Sequence, residues 1–102
     1  MTGGRKYGTS AGRFAVLIPV YNHTAGVVSV IERALALHLP IWVVDDGSTD
    51  GTAAGLVRCG GITVLRHEEN HGKGEAILTG FSAMAGKVDW AITLGFPHAA
   101  AP

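Results

Sequence analysis

Short runs of apolar residues alternate along the chain with longer stretches in which apolar and polar positions are mixed. The runs cover residues 14–18, 41–44, 62–65 and 90–94 and are rich in β-branched and aromatic side chains. Continuous runs of this length are typical of strands that are buried on both faces of a parallel sheet. We therefore predict a strand at each of them.

The mixed stretches predict helices over residues 25–37, from residue 50 or 52 to 58, and over 74–85. Thr24 has a side chain suited to capping the first helix, and Pro40 follows that helix, as expected beyond a helix end. The apolar residues expected to face the core are Val27, Val28, Ile31 and Leu35 in the first helix and Ala76, Ile77, Phe81 and Met84 in the third.

Strand, helix and strand follow one another three times, an order that predicts a parallel sheet with right-handed crossovers. The predicted fold class is α/β, a Rossmann-like three-layer α/β/α arrangement with a parallel sheet of about four strands. A chain of 102 residues fits one such domain. Residues 1–13 are rich in Gly, Ser, Thr and Arg, and we expect them to form a flexible tail.

Composition narrows the possible functions. Hydrophobic residues make up 47% of the chain and charged residues 16%, which excludes a disordered protein. The formal net charge is zero, so we expect no nucleic-acid partner, and self-association is an option. Cys59 is the single cysteine, which fits a cytoplasmic location and excludes a disulfide framework. The first apolar run is interrupted at Pro19, too soon for a membrane span.

Polar residues follow three of the predicted strands, in the segments 19–22, 45–48 and 70–74. The carboxyl ends of parallel strands meet at one edge of the sheet, where helix amino termini also point and where ligands bind in open α/β folds. We therefore expect these three loops to converge on one site.

Several of these residues suit a nucleotide. Tyr21 can offer an aromatic face to a base, with Pro19 holding the loop rigid, and a carboxylate at Asp45 or Asp46 can accept hydrogen bonds from a base or ribose. Gly47 permits close backbone approach and Ser48 offers a hydroxyl. The same residues are also compatible with a simple turn followed by a helix cap, and Pro19 and Tyr21 with packing.

In the third loop, Gly72 and Gly74 flank Lys73 at a predicted helix start. Free backbone N–H groups and a cation at such a position favour a pyrophosphate. The segment lacks the spacing of a Walker loop or of a GxGxxG motif, and by itself it is equally compatible with a flexible loop carrying a solvated lysine.

Taken together, the segments VLIPVYN (16–22), VVDDGSTDGT (43–52), NHGKGEA (70–76) and WAITL (90–94) resemble, in order and spacing, the amino-terminal half of family 2 glycosyltransferases. These enzymes have the GT-A fold, and the resemblance, over residues 14–94, is closest to members similar to dolichyl-phosphate mannose synthase. It implies a nucleoside-diphosphate sugar as donor and an acceptor such as a lipid phosphate or a glycan. The residues it assigns to the nucleotide are Pro19, Tyr21 and Asn22 at the base, Asp45 at the base or ribose with Asp46, Gly47 and Ser48 beside it, and Asn70, Lys73 and Gly74 at the phosphates.

The resemblance ends at Leu94. The family implies Mg²⁺ or Mn²⁺ held by an Asp-x-Asp motif directly after this strand, but Gly95 and Pro97 stand at the expected positions and the carboxylates are missing. His98 alone is a poor ligand for such a hard cation.

We expect residues 95–102 to be foreign to the family. We expect the chain to be a truncated transferase that is inactive alone and that lies in the cytoplasm or at the cytoplasmic face of a membrane. A non-catalytic nucleotide-binding or regulatory module and a fragment without a ligand remain the alternatives.

Overall fold

The structure is a computed structural model that describes residues 12–95. The predictions for residues 1–11 and 96–102, which include most of both tails and the positions of Pro97 and His98, lie outside the described residues. The described elements are the strands β1 (Phe14–Val20), β2 (Ile41–Asp46), β3 (Ile62–His67) and β4 (Trp90–Thr93) and the helices α1 (Val27–Leu35), α2 (Thr52–Val57) and α3 (Lys73–Met84).

The strands form a four-stranded sheet in the order β3-β2-β1-β4, and every neighbouring pair is parallel. Helices α1 and α2 pack on one face of the sheet, with Ile31 and Leu56 against residues such as Ile18. Helix α3 packs on the other face, with Ala76 and Met84 near Leu17. The prediction of a three-layer α/β fold with a parallel sheet of about four strands is confirmed.

Strand β1 is longer than predicted, because it continues through Pro19 to Val20. A proline inside a strand that has neighbours on both sides removes one ladder hydrogen bond. The pairing of β1 with β4 ends at Leu17 and Thr93, and Leu94 donates its N–H to the Leu17 carbonyl. Backbone groups of alternate residues point to the same side, so the nitrogen of Pro19 faces the side on which β4 has already ended. The proline therefore costs the sheet no hydrogen bond.

Three predictions about the helices are wrong in detail. Helix α1 begins at Val27 behind Gly26, and Thr24 does not cap it but donates its hydroxyl to the Asp50 carbonyl over 2.8 Å. In α1, Ala34 is buried, whereas Val28 and Leu35 are each more than a third exposed. Phe81 of α3, predicted to face the core, is exposed as well.

The reason for the exposure of Phe81 is the position of Gly80. The side of α3 that meets the sheet carries Ala76, Gly80 and Met84, which are spaced four residues apart along one face. A Cβ atom added at Gly80 would lie 2.5 Å from Cδ1 of Leu17. The helix therefore approaches Leu17 closely at Ala76 and Gly80, and Phe81 is left at the flank of the contact face.

We expect Gly80→Ala to destabilise the protein, although alanine is the better helix former by about 1 kcal/mol. The added methyl must displace the buried Leu17 side chain, and overpacking of this kind costs about 1–3 kcal/mol. Urea unfolding followed by circular dichroism measures the effect. Gly74→Ala in the same helix is the matched control, because nothing lies within 4 Å of its added Cβ and its stability should rise or stay unchanged. A more stable Gly80→Ala variant would contradict the described packing.

None of the helices within residues 12–95 combines the length and the hydrophobicity that crossing a bilayer requires.

Candidate functional site

A pocket of about 400 Å³ opens at the carboxyl ends of β1 and β2, beside the first turn of α3. All three loops predicted to converge contribute to its wall. The predicted residues that line it are Pro19, Tyr21, Asn22, Asp46, Asn70 and Lys73. Gly72, which was predicted beside Lys73 at the helix start, lines it too. No site role was predicted for three further lining residues, which are Val20, His23 and Ala76.

The loops after β1 and β2 are tied together by Asn22. Its backbone N–H donates to the Ser48 hydroxyl oxygen over 2.9 Å, and its side-chain oxygen accepts the N–H of Thr49 over 2.8 Å. Asn22 has a φ of 53°, a left-handed conformation that asparagine tolerates better than most residues. Ser48 does not line the pocket; the structure instead places its hydroxyl where it holds the Asn22 loop in position.

A second tie is centred on Asp50. One of its carboxylate oxygens accepts the Thr52 hydroxyl at 2.6 Å and the Thr52 N–H at 2.9 Å, and the other accepts the N–H of Thr24. Burial of this carboxyl would raise its pKa, but the hydrogen bonds from Thr52 and Thr24 outweigh that effect and lower the pKa of Asp50 to about 2. These hydrogen bonds therefore favour the charged form of Asp50, the form that accepts all three of them.

Asp46 organises the third loop. Its carboxylate accepts four hydrogen bonds, from Nδ1 of His67, Nδ2 of Asn70 and the backbone N–H groups of His71 and Gly72, over 2.7 to 3.1 Å. Burial alone would raise the pKa of Asp46, but the hydrogen bonds from His67, His71 and Gly72 keep it below its ordinary value. The side chain is thus a buried carboxylate that fixes residues 70–72 at the edge of the pocket.

His67 orients that carboxylate. Its Nδ1 lies 2.7 Å from Oδ1 of Asp46, and its Nε2 lies 2.7 Å from the hydroxyl oxygen of Thr79 in α3. An ionised carboxylate only accepts hydrogen bonds, so Nδ1 donates to Asp46. The third strand was predicted over residues 62–65 only, but β3 continues to His67, which pairs in register with Asp46. The alignment of β3 against β2 would have identified His67 as a neighbour of Asp46.

Asp45 has a different position from the one expected for a residue that contacts the base or ribose. Its carboxylate is 1% exposed, accepts the N–H of Ser48 at 3.0 Å and pairs with the guanidinium of Arg66 at 3.1 Å. Successive residues of a strand point to opposite faces of the sheet, so Asp45 and Asp46 cannot both face the same pocket. The structure brings Asp46 to the pocket and uses Asp45 to hold the turn at Ser48.

Gly47 and Gly74 also stand outside the pocket lining. Gly47 has a φ of 81°, and a Cβ atom there would lie 2.4 Å from the carbonyl carbon of Glu69 and 2.5 Å from the nitrogen of Asn70. Its missing side chain lets the second and third loops touch. Gly74 is an exposed residue in the first turn of α3.

The described residues do not fit the divalent cation that the resemblance implies. No group of three or more His, Cys, Asp and Glu side chains within residues 12–95 is placed to hold a metal ion. At Gly95, an added Cβ would lie only 2.8 Å from Nζ of Lys73, so the space where the first carboxylate would begin borders an ammonium group. The position of Pro97 lies outside the described residues.

Comparison with known proteins identifies a family. A family model described as "Glycosyl transferase family 2" matches residues 15–95, which include all of the sheet except Phe14 and all three loops of the pocket. A search of the solved structures found no match. Because the family model covers most of the chain, the chain belongs to the family 2 glycosyltransferases.

Proposed function

We propose that this chain binds a nucleoside-diphosphate sugar in the pocket formed by the three loops, for transfer of the sugar to an acceptor. Membership of family 2 implies such a donor and an acceptor. The observation that carries the proposal is that Tyr21, Asp46 and Lys73, from loops far apart in the sequence, line one pocket of about 400 Å³. That volume lies within the range of small-molecule sites in proteins.

The pocket has chemically different parts. Tyr21 is 43% exposed and lines the wall from the β1 side, so its ring is available to stack on a base. Lys73 lines it at the start of α3, where an ammonium group suits the diphosphate. Asp46 accepts hydrogen bonds from Asn70 and Gly72 and so holds the loop that leads to Lys73. In this arrangement the base lies toward Tyr21 and the phosphates toward Lys73.

For the acceptor, we propose a lipid phosphate, as in the members similar to dolichyl-phosphate mannose synthase. The support is the sequence resemblance of the segments 16–22, 43–52 and 70–76. We expect the chain alone to bind the donor without transferring its sugar. Sugar transfer commonly uses a carboxylate as base, and Asp46, the one carboxylate that lines the described pocket, is held by four donors and has a lowered pKa.

Nucleotide binding tests the proposal. Isothermal titration of the full chain with UDP, GDP, CDP and dTDP should give binding to at least one of them. Tyr21→Ala should weaken that binding by roughly 1–3 kcal/mol, the value typical of stacking between a base and an aromatic side chain. Tyr21→Phe keeps the ring and should bind like the original chain.

Phe81→Ala serves as the matched control, since Phe81 is exposed to a similar extent but lies outside this pocket. If the folded chain binds none of the four nucleotides at millimolar concentration, the proposed function is wrong. If Tyr21→Ala and Phe81→Ala bind the nucleotide equally well, Tyr21 does not contact the base.

A further inference from the structure

Lys73 has an unusual position among the charged groups of the pocket. Its side chain extends from the first residue of α3 to the end of β4, where Nζ would lie 2.8 Å and Cε 3.6 Å from a Cβ atom at Gly95. In this position the ammonium group occupies the space beside Gly95 that a side chain at residue 95 would share. Within the described part of the chain, the ammonium forms no hydrogen bond or ion pair. Its charge is therefore available to a ligand.

Two other donors of the third loop already have a partner. The side-chain nitrogen of Asn70 and the backbone N–H of Gly72 both donate to the Asp46 carboxylate. That carboxylate in turn is saturated by its four donors. A divalent cation needs several oxygen ligands, and to reach Asp46 it would have to break this network beside a positive ammonium group. The geometry thus favours an anion, and not a metal ion, next to Lys73.

From these observations we infer that a nucleoside diphosphate binds this pocket without a divalent cation, and that the ammonium group of Lys73 supplies the positive charge that meets its phosphates. The inference rests on the proposed function, because it names the partner of the diphosphate in the same pocket. A lysine ammonium is a compact charge with three N–H donors, which can contact oxygens of both phosphates.

The test compares nucleotide with nucleoside. The full chain is titrated with the best-binding nucleoside diphosphate and with the corresponding nucleoside, first in EDTA and then with Mn²⁺ or Mg²⁺ in excess. We expect equal affinity for the diphosphate in all of these conditions. Lys73→Gln should lower the affinity for the diphosphate about 10- to 100-fold in EDTA, which is the loss typical of a hydrogen bond to a charged group. Its affinity for the nucleoside should not change.

Two further variants test whether the effect is specific to the ammonium group of Lys73. Lys87→Gln removes a lysine beyond the other end of α3, where the ammonium lies over the ring of Trp42, and should bind the diphosphate like the original chain. Gly95→Asp places a carboxylate beside Lys73, where an ion pair would occupy the ammonium, and should lower the affinity for the diphosphate in EDTA at least about tenfold. Circular dichroism confirms that each variant is folded.

The possible failures can be told apart. Binding of the diphosphate that requires Mn²⁺ or Mg²⁺ overturns the inference and leaves the proposed function standing. An unchanged affinity of Lys73→Gln for the diphosphate overturns it as well. Absence of nucleotide binding by the folded original chain in every condition overturns the proposed function, and the inference with it.

Discussion

Replacing Gly47 with alanine is expected to lower the free energy of unfolding by about 2–5 kcal/mol. An L-residue held at positive φ costs roughly 1–2 kcal/mol, and overpacking adds about 1–3 kcal/mol. Both costs apply here, because Gly47 has a φ of 81° and its added Cβ would lie 2.4 Å from backbone atoms of Glu69. Backbone atoms cannot rotate away as the end of a side chain can. Urea unfolding of both proteins, monitored by circular dichroism, measures the difference.

The clash must also alter the pocket, since the atoms that have to move belong to the loop fixed by Asp46. The variant should therefore lose nucleotide affinity even where it remains folded. Gly61→Ala is the matched control, because Gly61 has a φ of 79° but meets only one side-chain atom, at the ordinary distance of 3.7 Å. It should lose about 1–2 kcal/mol of stability from backbone strain and no nucleotide affinity. Equal effects of the two substitutions would contradict the close contact at Gly47.

The apolar runs were sufficient to predict the four strands, although only the central strands β1 and β2 are buried on both faces, as such runs indicate. The edge strands β3 and β4 contain no fully buried residue. Strands β1, β2 and β3 nevertheless extend two residues beyond the runs, whereas β4 ends one residue before the end of its run. Strand β2 continues through Asp45 and Asp46, whose carboxylates are buried but fully partnered. Two of those partners, Arg66 and His67, lie 21 residues away in β3. The sequence pattern shows that two acidic residues end this strand. Only the register of β2 against β3 shows that Arg66 and His67 lie beside them as partners.

The location of the candidate site was predicted more accurately than the contacts of its individual residues. The topology of parallel strands requires loops 19–22, 45–48 and 70–74 to share one edge, and they do. Successive residues of β2 point to opposite faces of the sheet, so only one of Asp45 and Asp46 faces the pocket. The residues of the turn do not reveal which of the two it is. The role of Thr24 likewise depends on Asp50, 26 residues further along the chain. Nucleotide binding by any of these residues stays a prediction.

Asp46→Asn is the second substitution with a large expected effect. It should lower the free energy of unfolding by about 2–4 kcal/mol at neutral pH, because an amide group then faces N–H donors that remain buried without an acceptor. The loop of Asn70 and Gly72 would lose its anchor, and nucleotide affinity should fall with it. Urea unfolding and isothermal titration measure the two losses. Glu32→Gln, at an exposed position of α1, is the matched control and should change neither.

The same substitution has a distinctive pH dependence. The pKa of Asp46 is lower in the folded protein than its ordinary value, so the unfolded chain binds the proton more readily. The stability that Asp46 contributes is therefore fully present above about pH 4, near the pKa of an unperturbed aspartate, and is lost as the pH falls through the lower folded value. Unfolding curves between pH 6 and pH 2.5 should show the original chain and Asp46→Asn converging in stability as acid is added, whereas Glu32→Gln should parallel the original chain.

A double-mutant cycle locates the source of the effect. If His67 acts by orienting Asp46, the loss of stability in Asp46→Asn combined with His67→Ala should be smaller than the sum of the single losses, by about 0.5–3 kcal/mol. The basis for this expectation is the 2.7 Å hydrogen bond between the buried Asp46 and the partly buried His67. Additive losses would mean that the carboxylate keeps its place without the histidine. The loop at residues 70–72 would then be held by Asp46 without help from His67.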